Sequence, residues 1–137
     1  MSFLYSDAIL AIQINLAKLS SGSQIPIQYT CDGANLAPIV SAKQLPHGAK
    51  SLVFILQDPY APSPPFIHWI VWNLPAKNQR FSAKALPVGA IMGKNSLGIQ
   101  GYTGPCPPIR EIHHYQAVIY ALSITFSPGL APLTHQN

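Results

Sequence analysis

The 137 residues are enough to bury a core, since domains of this size remove about two-thirds of their unfolded surface from water. With 48% apolar residues against 9% Asp, Glu, Lys and Arg, the chain is too hydrophobic and too weakly charged to stay disordered. The net charge of +4 comes from eight Lys and Arg scattered without a run, which excludes the clustered basic stripe of a nucleic-acid-binding surface.

The 14 prolines and 9 glycines argue against an architecture of long helices, because proline costs roughly 3 kcal/mol in a helix interior. Strands are predicted over residues 9–14, 25–29, 51–57, 67–74 and 116–125, which are rich in β-branched and aromatic residues. Segments 51–57 and 116–125 are nearly continuously apolar, as in strands covered on both faces. Turn formers dominate residues 31–49, 58–65, 75–101 and 104–114, and connections of that length usually carry function. A helix over residues 77–86 is the alternative inside the third of these, on a weak period. The expected fold is mainly β: an antiparallel two-sheet domain with short helical pieces, spanning residues 1–137 as one unit. Neither a run of ~20 apolar residues nor a signal-peptide pattern is visible, so a cytoplasmic location is expected, without a transmembrane segment. Cys31 and Cys106 lack CxxC spacing and are expected as free thiols.

Three segments carry chemistry. Asp58 stands at a strand end before a loop shaped by Pro59 and Pro62, where it could face a ligand or cap its own backbone turn. Strand alternation puts His68, Ile70 and Trp72 on one face. Residues 101–108 combine glycines, which let backbone N–H groups approach a ligand, with prolines that hold the loop open. His113 and Tyr115 follow on one side of the next strand. Imidazoles, a phenol and loop N–H groups together suit a phosphoryl-type anion.

These segments resemble the phosphatidylethanolamine-binding, or bacterial Raf kinase inhibitor-like, family. Tyr29-Thr30-Cys31-Asp32-Gly33 with Asn35 and Pro38 matches its opening motif. Asp58-Pro59-x-Ala61-Pro62, His68-Trp69-x-Val71-x-Asn73-x-Pro75, Gly101-Tyr102-x-Gly104-Pro105-Cys106-Pro107-Pro108, His113-x-Tyr115 and Tyr120-Ala121-Leu122 follow in family order. The resemblance covers residues 25–128 and implies a β-sandwich with a small cavity at one end. It implies a pocket built from Asp58, His68, Cys106, Pro107, Pro108, His113 and Tyr115. There Asp58 orients a histidine, and His68, Tyr115 and loop N–H groups donate to an anion such as phosphate or a phospholipid head group. Relatives that restrain kinases or serine proteases make such a protein target the other implied partner.

The chain departs from the family pattern at several points. Tyr60 stands at the rim where a second carboxylate is usual, which predicts weaker attraction for an ammonium-bearing ligand and better tolerance of a plain dianion. Ala42 replaces a tryptophan and Leu97 an aromatic. The sequence stops soon after Pro128-Gly129, so the usual C-terminal helix and strand are expected to be missing and the uncovered edge to invite a homodimer. Catalysis is not expected. Asp58, His68 and His113 could move protons, but Ser63 lies in no nucleophile elbow, and Cys106 has no basic neighbour to lower its pKa. Neither a cofactor nor a metal is expected, because the adjacent His113 and His114 point to opposite strand faces.

Overall fold

The structure, a computed structural model, describes residues 2–3, 12–61 and 64–127. The strands among them are β1 (Ser2–Phe3), β2 (Gln13–Leu16), β3 (Val40–Lys43), β4 (Ser51–Asp58), β5 (Phe66–Pro75), β6 (Gln79–Phe81), β7 (Ile91–Met92) and β8 (Gln116–Leu122). They form a five-stranded sheet in the order β1-β8-β4-β5-β7 and a three-stranded sheet in the order β2-β3-β6. All pairings are antiparallel except that of β1 with β8. This is the two-sheet sandwich that composition and alternation imply.

The continuous apolar character of β4 has the expected cause. Leu52, Phe54 and Leu56 face the inter-sheet core with Val40, Trp69 and Ile119, while Val53 joins Ile67, Ile70 and Trp72 in a second cluster on the outer face. Phe54 packs edge-on against Trp69 and Phe81, with ring centroids 5.2 and 5.7 Å away. Phe126 covers Trp72 from outside, held because the Asn73 side chain exchanges two 2.8 Å hydrogen bonds with the Phe126 backbone. Ala42 is fully buried in the inter-sheet core, and Leu97 is exposed.

Several expectations need correction. Residues 25–29 are not a strand: Pro26 has no N–H to give to a ladder, and its carbonyl and that of Ile27 instead accept from Tyr29 and Thr30 in a 3-10 turn, Ile27–Tyr29. The segments read as connections contain β3, β6 and β7, and β6 with the turn after it occupies the place of the alternative helix. The first predicted strand is described only as β2, the last ends at Leu122, and the Pro128-Gly129 turn and everything after it lie outside the described residues, as do Pro62 and Ser63.

Most consequential is an irregularity in β5. Leu56 pairs with Trp69 but Gln57 pairs with Ile67, so His68 is an extra residue opposite β4. Regular alternation would set His68 beside Ile70 and Trp72; the bulge sends Ile67 to that outer cluster and leaves His68 against Tyr115.

Cys31 and Cys106 are not free thiols; they form a disulfide with a Cα–Cα distance of 5.4 Å. The Cys31 N–H donates to the Pro105 carbonyl, so the backbone has already brought the two loops within bridging reach. A bridge across 75 residues restricts the unfolded chain by about 4 kcal/mol on loop-closure entropy. The Cys31→Ser, Cys106→Ser double variant should therefore lose about 2–4 kcal/mol in denaturant unfolding; an unchanged midpoint and slope would show that the bridge does not restrain the chain.

Candidate functional site

Strand register assembles the site. β8 pairs with β4 so that Gln57 meets Gln116, which puts Asp58 and Tyr115 side by side at one end of the large sheet. The pairing of Asp58 with Phe66 places the β5 bulge at the same end. Asp58, His68 and Tyr115 are buried there, at 3%, 5% and 6% exposure. The His68 ring stands edge-on to Tyr115 with centroids 5.3 Å apart, and His113 stacks on Tyr115 at 6.4 Å.

A buried carboxylate needs donors or a counter-charge. Asp58 has both: Oδ1 accepts the Tyr60 N–H at 2.9 Å, and Oδ2 pairs with His113 Nδ1. The turn-capping and site readings of Asp58 thus coexist. The other ring nitrogen of His113, Nε2, lies 2.8 Å from Glu111 Oε2. Each ring nitrogen faces a carboxylate oxygen, an arrangement that favours hydrogen on both nitrogens, as in the imidazolium. Its pKa is raised from 6.5, first by the Glu111 hydrogen bond and then by that to Asp58.

His68 is the opposite case. Its Nδ1 lies 2.7 Å from the Thr103 carbonyl, which only accepts, so Nδ1 donates and the neutral ring presents a bare Nε2. Burial lowers its pKa below 6.5, against the Thr103 hydrogen bond and the charge of Asp58. The expectation that His68 donates to an anion therefore needs amending: the neutral ring offers a lone pair, and it donates only after taking up a proton. Tyr115 stays a phenol, its pKa pushed up to about 12 by burial and by the Asp58 charge.

In front of this cluster opens a groove of about 770 Å³. Residues 22–27, Thr30 and Asp32 form one wall, and Pro105, Pro107 and residues 111–115 the other. Among the expected site residues His113, Tyr115 and Pro107 line it directly. Asp58 and His68 stand behind them, held to His113 and Tyr115 by the contacts above. Cys106 and Pro108 do not line it: the Cys106 side chain runs to Cys31, and the Pro108 carbonyl accepts the Glu111 N–H. Tyr60 is 66% exposed and packs against His114, one residue back from the mouth.

The walls are fixed by close backbone approach. A Cβ on Gly104 would fall 2.3 Å from the Tyr29 carbonyl and 2.4 Å from Asn35 Oδ1, and one on Gly33 would fall 2.2 Å from the Ile27 carbonyl. Gly104 N–H donates to Asn35 Oδ1 at 2.8 Å, and Tyr102 O–H donates to the Tyr29 carbonyl. Asn95, only 3% exposed, braces the loop from behind by donating to Thr103 Oγ1 and the Gly101 carbonyl.

Reasoning from the sequence passed over Glu111, Asp32, Thr103 and the wall at residues 22–27. A signal was present for the acids. Asp7, Asp32, Asp58 and Glu111 are the four acidic residues of the chain, and the last three all stand at this groove or behind it. No Lys or Arg is among the described residues that line it.

The domain is thus a two-sheet sandwich that gathers histidines, a phenol and a buried carboxylate at one end. The family profile of phosphatidylethanolamine-binding proteins matches residues 16–136, and the chain belongs to that family. It is 40% identical over 114 residues to a UPF0098 protein of Pyrococcus horikoshii, a match that covers 77% of this chain and 58% of the relative's length. The solved phosphatidylethanolamine-binding protein homolog of Chlamydia trachomatis superposes with a TM-score of 0.78 at 35% identity, covering 91% of this chain and 83% of that one. YbcL of Escherichia coli, a member of the mammalian family, superposes at 0.81 with 29% identity, covering 91% and 85%. The family takes its name from the binding of phosphatidylethanolamine. Among the described residues no group of three or more His, Cys, Asp or Glu is placed to hold a metal, and no helix is long and apolar enough to cross a membrane.

The two imidazoles should titrate on opposite sides of 6.5. For His113 the raised pKa means that its pairing contributes stability fully present below about 6.5 and lost as pH rises through the folded value. For His68 the lowered pKa means stability present above about 6.5 and lost as pH falls through the folded value. NMR titration of the assigned His68 and His113 resonances should put one on each side of 6.5, and His113→Gln should flatten only the alkaline limb of the unfolding profile. These two rings titrating together near 6.5 would contradict their hydrogen bonds.

Proposed function

We propose that the groove binds, without chemical change, a small phosphoryl or carboxylate anion of the phosphate or phospholipid head-group kind. One observation carries the reading: the Tyr115 hydroxyl and the cationic His113, from the segment before β8, meet the His68 ring, from the β5 bulge, at one end of the sandwich. A phenol and an imidazolium are hydrogen-bond donors suited to an oxyanion, and charge-assisted bonds are the stronger ones. The groove, at about 770 Å³, falls within the range of organic-ligand sites, which favours an ester or head group over the bare inorganic ion. Family membership supports the same class of ligand. Cys106 is tied in a disulfide, which removes the thiol as a nucleophile and agrees with binding rather than catalysis.

The tautomer of His68 adds a proton requirement. A neutral His68 turns a lone pair towards an anionic oxygen, so the complex needs one proton on either the ring or the ligand. Sulfate has no proton to give between pH 5.5 and 8, and the ring must then supply it. Sulfate affinity, measured by calorimetry, should fall with rising pH by up to about tenfold per unit. Tyr115→Phe, which keeps the ring and removes the donor, should weaken binding about tenfold at every pH. Affinity that is flat with pH and indifferent to Tyr115→Phe would place the anion elsewhere.

A further inference from the structure

Glu111 fills the place an anionic ligand would want. Asp58 holds Nδ1 of His113 and Glu111 holds Nε2, so both N–H groups of the imidazolium are already engaged. The pairing sets one cation against two carboxylates, and Asp32 adds a third acid from the opposite wall. An incoming oxyanion must therefore compete with one tethered to the protein, which has the advantage of a high effective concentration. The Asp58 partner is buried and fixed at the end of β4, whereas the Glu111 side chain is 56% exposed and residues 106–112 are exposed throughout. Glu111 can leave His113 without disturbing the core, and Asp58 cannot.

We propose that Glu111 is a specificity-determining residue: a built-in oxyanion that a ligand must displace from His113, which disfavours plain anions and favours ligands whose own ammonium group pairs with the freed carboxylate. The inference rests on the anion-binding reading above and adds a selection within it. It also reverses the expectation drawn from Tyr60, that a plain dianion is the better tolerated ligand. The loss of one acid at the rim is outweighed by another acid in direct contact with the imidazolium.

The test is Glu111→Gln, which keeps the length and hydrogen-bonding oxygen of the side chain and removes its charge. At pH 6, where His113 is protonated in both proteins, calorimetric titrations with sulfate and with phosphoethanolamine should show sulfate affinity rising about tenfold in the variant. Phosphoethanolamine should gain less, so that the preference for the zwitterion narrows. The His113 NMR titration should move down towards 6.5, a change that a purely structural role of Glu111 would not produce. If the parent binds sulfate and the variant binds it no better, or if the His113 titration does not move, the role of Glu111 is overturned while the anion site stands. If neither protein binds sulfate or phosphoethanolamine, the anion-site reading falls and this one with it.

Discussion

A carboxylate removed from water must be met by donors or by positive charge, and the end of β4 is organised around that requirement. Asp58 is almost wholly buried, and its two oxygens are taken by the backbone N–H of the turn that follows and by the imidazole of His113. The first bond shapes the 58–61 turn. The second ties the segment before β8 to the end of β4, which fixes where the adjoining Tyr115 stands. Leaving such a group without its partner costs several kcal/mol, so the pairing positions the site as well as belonging to it.

The same neighbourhood drives its two histidines apart. His68, seated on a bulge and donating to a backbone carbonyl, is kept neutral by burial; His113, between two carboxylates, is kept charged. The cluster thus brings together a ring that its carboxylate partners keep protonated, a phenol, and a second ring hydrogen-bonded through Nδ1. Two glycines against backbone carbonyls, the Asn35 and Tyr102 hydrogen bonds and the disulfide hold the groove walls in register. Such preorganisation spares a ligand part of the ordering entropy that binding otherwise costs.

Much of this was legible in the residues. The continuous apolar run marked β4 because both of its faces are buried, whereas β8 leaves Tyr120 exposed on its outer face; the spaced motifs around Asp58, His68 and His113 named side chains that the sheet register then brought together. What was missed has physical reasons. β3 and β6 are short and carry Ser, Lys, Gln and Arg, so propensity hides strands that form because Val40, Ala42 and Phe81 have a core to fill. Residues 25–29 looked like a strand only if the missing N–H of Pro26 was ignored. The bulge at His68 breaks the period on which facing arguments rest, and no local signal announces it. The disulfide joins loops 75 residues apart, and Glu111 matters only through its contact with His113; both become visible once the chain has folded.

At the centre of the account is a single cup made where the end of β4, the β5 bulge and the segment before β8 meet. A crystal of the full chain soaked in phosphate examines it directly. The expected result is an anion within hydrogen-bonding distance of the Tyr115 hydroxyl and of the imidazoles of His68 and His113, with the Glu111 carboxylate moved off Nε2. An anion bound away from these groups, with Glu111 still on His113, would contradict it.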